Sequence, residues 1–232
     1  MRNICHIFTR ELGGYFATPV AYVFLVIFLG MAGAFAFYLG NFFERGQADL
    51  QSFFLFHPWL YLILIPAISM RLWAEERKTG TIELFLTLPI SIGEAVLGKF
   101  LAAWLFLACA LLVTLPIAFT VGYLGNPDWG VIACGYVGSL LCAGACLGLA
   151  AIASALTRSQ VIAFVTGFLA CFVLVLVGYG VFDELLAGAF SSSTVDAVRR
   201  LGLWRNLEPF TLGLVDVRPV AYFLTEIGRA HV

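Results

Sequence analysis

Residues 75–91, EERKTGTIELFLTLPIS, form the one long polar interruption with helical order among otherwise apolar stretches. Two acids and two bases open the segment, and Gly80-Thr81 predicts a turn after them. Apolar side chains then recur at a spacing that places them on one side of a short helix: Ile82, Phe85 and Leu86. Pro89 ends this helix because it has no amide hydrogen to donate. Ser91, three residues before Glu94, predicts a capping box that starts the next helix.

The composition indicates an integral membrane protein. The chain has 232 residues, of which 62% are hydrophobic and 12% charged, and its mean hydropathy is +0.98. A transmembrane helix needs about 20 mostly apolar residues. Five stretches meet or approach that length: 19–40, 53–72, 97–124, 131–156 and 161–182. A sixth begins near residue 210 and is cut short. We therefore predict an all-α polytopic membrane protein with six transmembrane helices, the last truncated, in a single domain over residues 1–232.

Residues 1–17 predict a helix that lies in the membrane interface. Apolar side chains fall on one face of this segment: Ile4, Ile7, Phe8, Leu12 and Tyr15. Gly13-Gly14 predicts a turn inward to the first span. A disordered basic terminus is the alternative.

Basic residues in the short loops predict the orientation. Seven of them lie on the side of the amino terminus and of residues 75–91, against Arg45 alone on the other: Arg2, Arg10, Arg71, Arg77, Lys78, Lys99 and Arg158. The amino terminus is therefore expected in the cytoplasm. Residues 183–209 are then an extracytoplasmic segment, and their three arginines weaken the count without changing the alternation.

The last six residues, IGRAHV at 227–232, match the translation of a common sequencing-adapter read, ATC GGA AGA GCA CAC GTC. We therefore expect the chain from about Ile227 to be non-native and the natural sixth helix to be longer.

The spans lack the groups that bind coupling ions or perform hydrolysis. No acidic, basic or histidine side chain occurs in 19–40, 100–124, 131–157 or 161–182, which disfavours an ion-coupled transporter and an intramembrane enzyme. The hydroxyl groups within the spans are expected to serve helix packing, as are Gly144 and Gly148, a small-xxx-small pair. The cysteines are expected to be small buried hydrophobes rather than metal ligands. No phosphate-binding loop, G-x-x-x-x-G-K-[ST], is present. The net charge of -1 also argues against a nucleic-acid partner.

A helical bundle that lacks groups for ion coupling or hydrolysis is either passive or driven by another protein. The amphipathic helix within residues 75–91 suits a groove of a partner protein. Resting on lipid is the alternative, but the acids of the segment balance its bases, which makes anionic lipid a poor target.

Residues 75–91 resemble the cytoplasmic coupling segment of type 2 ABC transporter permeases. The likeness continues in FHPWLYLILIPAISMRLWAEE, LGKFLAAWL, LGNPDWG, SALTRSQVIAF and NLEPFTLGLVDVRPVAYFL, and it is closest to the gliding-motility branch. The resemblance implies a multi-pass subunit of the bacterial cytoplasmic membrane. The resemblance further implies that this subunit pairs with a second permease subunit, as a homo- or heterodimer, and with separate cytoplasmic subunits that bind ATP and Mg.

The same resemblance assigns ATPase coupling to ten positions, with no catalytic residue and no cofactor in this chain: Glu75, Glu76, Gly80, Thr81, Ile82, Glu83, Leu84, Phe85, Leu86 and Pro89. The expected function is coupling ATP hydrolysis in a partner to translocation, with export as the direction. The alternative is a non-transporting membrane anchor or mechanotransmitting scaffold for an ABC ATPase.

Overall fold

The computed structural model of the protein describes residues 2–81, 91–179 and 198–229, and the regular elements within those ranges are all helical. The helices are α1 Arg2–Ala17, α2 Pro19–Ala34, α3 Phe42–Arg45, α4 Gln51–Leu55, α5 His57–Ser69, α6 Ala74–Thr79, α7 Ile92–Val113, α8 Leu115–Leu124, α9 Trp129–Ala155, α10 Gln160–Gly178, α11 Leu203–Thr211 and α12 Val217–Arg229. A π-helical turn, Phe35–Leu39, extends α2. The predicted all-α class is confirmed over these residues.

Four helical stretches of the described chain are long and apolar enough to cross a membrane: Ala21–Arg45, Ile92–Leu124, Trp129–Ala155 and Gln160–Gly178. They correspond to the predicted spans 19–40, 97–124, 131–156 and 161–182. The chain is therefore a multi-pass membrane protein.

The predicted span 53–72 is not one continuous helix. Its first residues belong to α4, the helix is interrupted at Phe56, and α5 begins at His57 with Pro58 in its first turn. Proline favours a helix start because its missing amide hydrogen would be unpaired there in any case. At 1.5 Å per residue, the 13 residues of α5 rise about 20 Å, less than the roughly 30 Å hydrocarbon core. The count of six transmembrane helices stays a prediction.

The amino-terminal segment is an ordered helix. α1 runs through Gly13-Gly14 without interruption, so the turn predicted there is wrong. The chain turns instead at Thr18, whose φ of -101° and ψ of 136° are extended. Steric contact with the ring of Pro19 disfavours the helical conformation for the residue before it. The placement of α1 in the membrane interface stays a prediction.

The third predicted span is interrupted close to its proline. α7 ends at Val113 and α8 begins at Leu115, with Pro116 in its first turn. The Thr114 hydroxyl donates to the Leu111 carbonyl at 2.6 Å and lies 3.0 Å from the Tyr136 hydroxyl. A threonine between the two helices thus has its polar group satisfied inside the bundle.

Helix α9 is the centre of the bundle and contacts α5, α7, α10, α11 and α12. Its small residues leave space for aromatic side chains of its neighbours. A Cβ added to Gly138 would lie 2.5 Å from the Phe210 Cβ, and one added to Gly144 would lie 2.9 Å from the Trp104 Nε1. Gly148 is also buried on this helix. Small residues along α9 therefore permit close packing on several sides.

Candidate functional site

The structure describes part of the segment that the resemblance assigns to coupling. Residues 75–81 and Ser91 are described, whereas six of the predicted site residues lie outside the described ranges: Ile82, Glu83, Leu84, Phe85, Leu86 and Pro89. We refer to residues 75–91 as the coupling segment.

Helix α6 opens the coupling segment and ends at the predicted turn. Gly80 has a φ of 75°, in the left-handed region that glycine adopts without strain. The Thr79 hydroxyl donates to the Glu75 carbonyl at 3.0 Å, and the Thr81 hydroxyl donates to the Glu76 carbonyl at 3.4 Å. These bonds satisfy carbonyl groups in the last turn of the helix. The predicted Gly80-Thr81 turn is confirmed.

The capping box predicted at the far end of the coupling segment is also confirmed. The Glu94 amide donates to the Ser91 hydroxyl at 3.3 Å, and the Ser91 amide donates to the Glu94 carboxylate at 3.2 Å. The Asn3 side chain of α1 donates to the same carboxylate at 3.4 Å. The start of α7 is therefore linked to the amino-terminal helix.

Ser154 of α9 holds the first turn of α6. Its hydroxyl accepts the amide hydrogens of Trp73 and Ala74 at 3.3 and 3.2 Å and donates to the Met70 carbonyl at 3.4 Å. The first amides of a helix have no partner within the helix, so an outside acceptor stabilises them. Ser154 performs that role from a different helix and fixes the first turn of α6, directly before the coupling segment, to the centre of the bundle.

We expect Ser154→Ala to lower the free energy of unfolding by about 1–3 kcal/mol, because the buried Ala74 amide loses its acceptor. Thermal unfolding of the purified protein in detergent measures the change. Ser139→Ala is the comparison, since the Ser139 hydroxyl lies 2.6 Å from the Tyr61 hydroxyl and contacts no α6 backbone. Only Ser154→Ala should also speed proteolysis at residues 75–81. Equal cleavage of the two variants would contradict the capping role.

A buried lysine binds the second acid of the coupling segment. The Lys99 side chain, on α7, is 3% exposed, and its Nζ lies 2.8 Å from the Glu76 Oε1. The same Nζ donates to the Leu72 carbonyl at 3.2 Å and lies 5.4 Å from the centre of the Trp73 ring. A charged group this deeply buried is stable only when it is paired and hydrogen-bonded. These contacts join α6 to α7 at the start of the coupling segment.

A second acid reaches the same lysine from α1. The Glu11 Oε1 lies 3.3 Å from the Lys99 Nζ and 2.8 Å from the Arg10 Nη2. The four side chains Arg10, Glu11, Lys99 and Glu76 carry two positive and two negative charges. We call these four side chains the Lys99 cluster.

The two neighbouring acids of the coupling segment have different surroundings. Glu75 is exposed, whereas the Glu76 side chain is 16% exposed and turned onto Lys99. Successive residues of a helix point about 100° apart, so a pair of adjacent acids cannot share one partner easily. The other Glu76 carboxylate oxygen, Oε2, is buried and has no hydrogen-bond partner among the described residues. Glu76 therefore depends on Lys99 for its pairing.

Sequence reasoning missed three residues of this site: Lys99, Glu11 and Ser154. Lys99 was predicted only to be one of the loop bases that set the orientation, and no role was predicted for Glu11. One signal was available, because Lys99 sits inside the apolar run that begins at Leu97 and must therefore find an acid. The sequence does not say which acid, since the partners come from other helices.

Comparison with known families decides the identity. A family model described as "ABC-2 family transporter protein" matches residues 19–199, more than half of the chain. The chain belongs to the ABC-2 transporter family. A search of curated proteins gives no match.

Membership of the ABC-2 family makes the chain a membrane transport component, a permease subunit of an ABC transporter. The family is not itself catalytic, and it implies association with an ATP-binding subunit. The matched range contains α6, Ser154 and Lys99, whereas Glu11 lies before it. The part of the Lys99 cluster on α6 and α7 thus falls within the ABC-2 match.

Proposed function

We propose that this ABC-2 permease subunit receives the work of ATP hydrolysis through the coupling segment and uses it to export a substrate. The observation that carries the proposal is the buried Glu76–Lys99 ion pair, with its 2.8 Å separation. A segment that transmits a displacement must be joined stiffly to the helices it moves, because a loose loop would absorb the motion.

Two attachments support a stiff joint. The first turn of α6 is bonded to Ser154 of α9, and its side chain Glu76 is paired with Lys99 of α7. A loop that only rests on lipid needs none of these. Helix α6 is instead joined to α7 and α9 through buried polar groups.

The wider assembly is part of the same proposal. A second permease subunit and two ATP-binding subunits complete the transporter, with ATP and Mg held by the latter. The seven-to-one distribution of loop bases favours a cytoplasmic amino terminus and coupling segment. The resemblance to type 2 ABC permeases favours a location in the bacterial cytoplasmic membrane and membership of the gliding-motility branch. It also favours a total of six transmembrane helices and a position of α1 in the membrane interface.

The test measures the ATPase rate of the partner subunit with and without the permease in proteoliposomes. We expect the permease to stimulate hydrolysis and Phe85→Asp to reduce the rate to that of the ATP-binding subunit alone. The reason is that a carboxylate cannot enter an apolar groove without losing its hydration.

Phe43→Asp is the matched control, because Phe43 is 67% exposed on the short helix α3 at the end of the first span, far along the chain from the coupling segment. This variant should keep the full stimulation. Both variants must be inserted at the unsubstituted level. Undiminished stimulation by Phe85→Asp would contradict the proposed role of the coupling segment.

A further inference from the structure

The amino-terminal helix α1 contacts the same buried lysine as the coupling segment. Lys99 is the only base among the described residues to which both Glu11 and Glu76 are paired, at 3.3 and 2.8 Å. Its side chain is 3% exposed, so both acids reach it inside the protein. One cation therefore joins two elements that are remote in sequence.

The packing around Lys99 holds α1 tightly to α7. A Cβ added to Gly98 would lie 2.8 Å from the Ile7 Cγ2 and 3.3 Å from the Ile4 carbonyl oxygen, so only glycine admits α1 at this distance. Two turns further along α7, Tyr15 stacks on Phe106 with ring centres 5.2 Å apart. Contacts on both sides of Lys99 prevent α1 from sliding freely along α7.

The surroundings of Tyr15 indicate the same close packing. Burial, followed by the negative charge of Glu11, raises the pKa of the Tyr15 hydroxyl above its ordinary value. The α1 face that bears Ile7, Glu11 and Tyr15 is thus directed at α7 along its length.

We infer that α1 is a moving part of the coupling device, with Glu11 as a positioning residue that acts through Lys99. This inference rests on the proposed function, in which the coupling segment is displaced by an ATP-binding subunit. If α6 carries Glu76 away from Lys99, the buried cation loses its nearest acid. Glu11 then becomes its remaining carboxylate partner, and α1 is drawn along with α7.

The shared lysine makes a specific prediction for the protein alone. Removing one acid leaves Lys99 paired with the other, but removing both leaves a buried cation without a carboxylate among the described residues. The combined variant Glu11→Gln/Glu76→Gln should therefore lower the unfolding temperature by more than the sum of the two single losses. Thermal unfolding in detergent tests this without any partner.

The control pair is Glu44→Gln with Glu76→Gln, because Glu44 is exposed on the short helix α3 at the end of the first span and undergoes the same change of charge. Its effect should be additive with that of Glu76→Gln. Additive losses for Glu11→Gln and Glu76→Gln as well would overturn the inference, since the two acids would then not depend on one lysine.

A second measurement joins the inference to transport. In the complex, Glu11→Gln should retain the ATP-binding subunit at the unsubstituted level but reduce the stimulation of hydrolysis at least threefold, whereas Glu44→Gln should not. Equal stimulation by Glu11→Gln and the unsubstituted permease would overturn the role of α1. Absence of stimulation by the unsubstituted permease would instead overturn the proposed function.

Discussion

Replacing Lys99 by methionine is expected to lower the free energy of unfolding by about 3–5 kcal/mol, the usual cost of removing one partner from a buried ion pair. Methionine fills a similar volume but leaves Glu76 and Glu11 without their shared cation. Glu76 is affected most, because its Oε1 is paired with Lys99 and its buried Oε2 has no hydrogen-bond partner among the described residues. The change in the free energy of unfolding is measured on the detergent-solubilised protein, with the helical circular dichroism signal as the readout.

Lys78→Met is the matched control for this substitution. Lys78 carries the same charge on the exposed side of α6, and exposed charges contribute within about 0.5 kcal/mol. Adding Glu76→Met to Lys99→Met should recover part of the lost stability, because a buried pair replaced by apolar side chains is often neutral. If Lys99→Met costs no more than Lys78→Met, the cluster does not stabilise the fold.

Replacing Gly202 by valine is expected to be the most damaging change outside the Lys99 cluster. A Cβ at Gly202 would lie well under 3.0 Å from backbone atoms of Gly178, at the end of α10. Backbone atoms cannot rotate aside as a side chain does, so the start of α11 must move away from α10. We expect a loss of about 1–3 kcal/mol or more, the range for overpacked sites.

Gly30→Val is the matched control, since a Cβ at Gly30 meets nothing within 4 Å on the exposed side of α2. The ratio of folded to aggregated protein after heating, measured by gel filtration, should fall for Gly202→Val alone. Equal loss in both variants would mean that the Gly178–Gly202 approach does not constrain the bundle.

Local features were predictable because they depend on neighbouring residues. The Ser91–Glu94 capping box and the Gly80-Thr81 turn each involve a few consecutive residues, and the structure contains both. The prediction of six transmembrane spans rests on hydropathy, which measures composition and not the continuity of a helix. It did not predict that the second span would break at Phe56 and restart at His57-Pro58.

The sequence by itself determined the membrane class, four helices that are long and apolar enough to cross a membrane, the two local ends of the coupling segment and the membership of the ABC-2 family. Only the tertiary structure decided that Lys99 pairs with Glu76 and with Glu11, which is 88 residues away along the chain. The physical reason is that a charge within an apolar helix must find a partner, and helix packing alone selects which acid comes within reach.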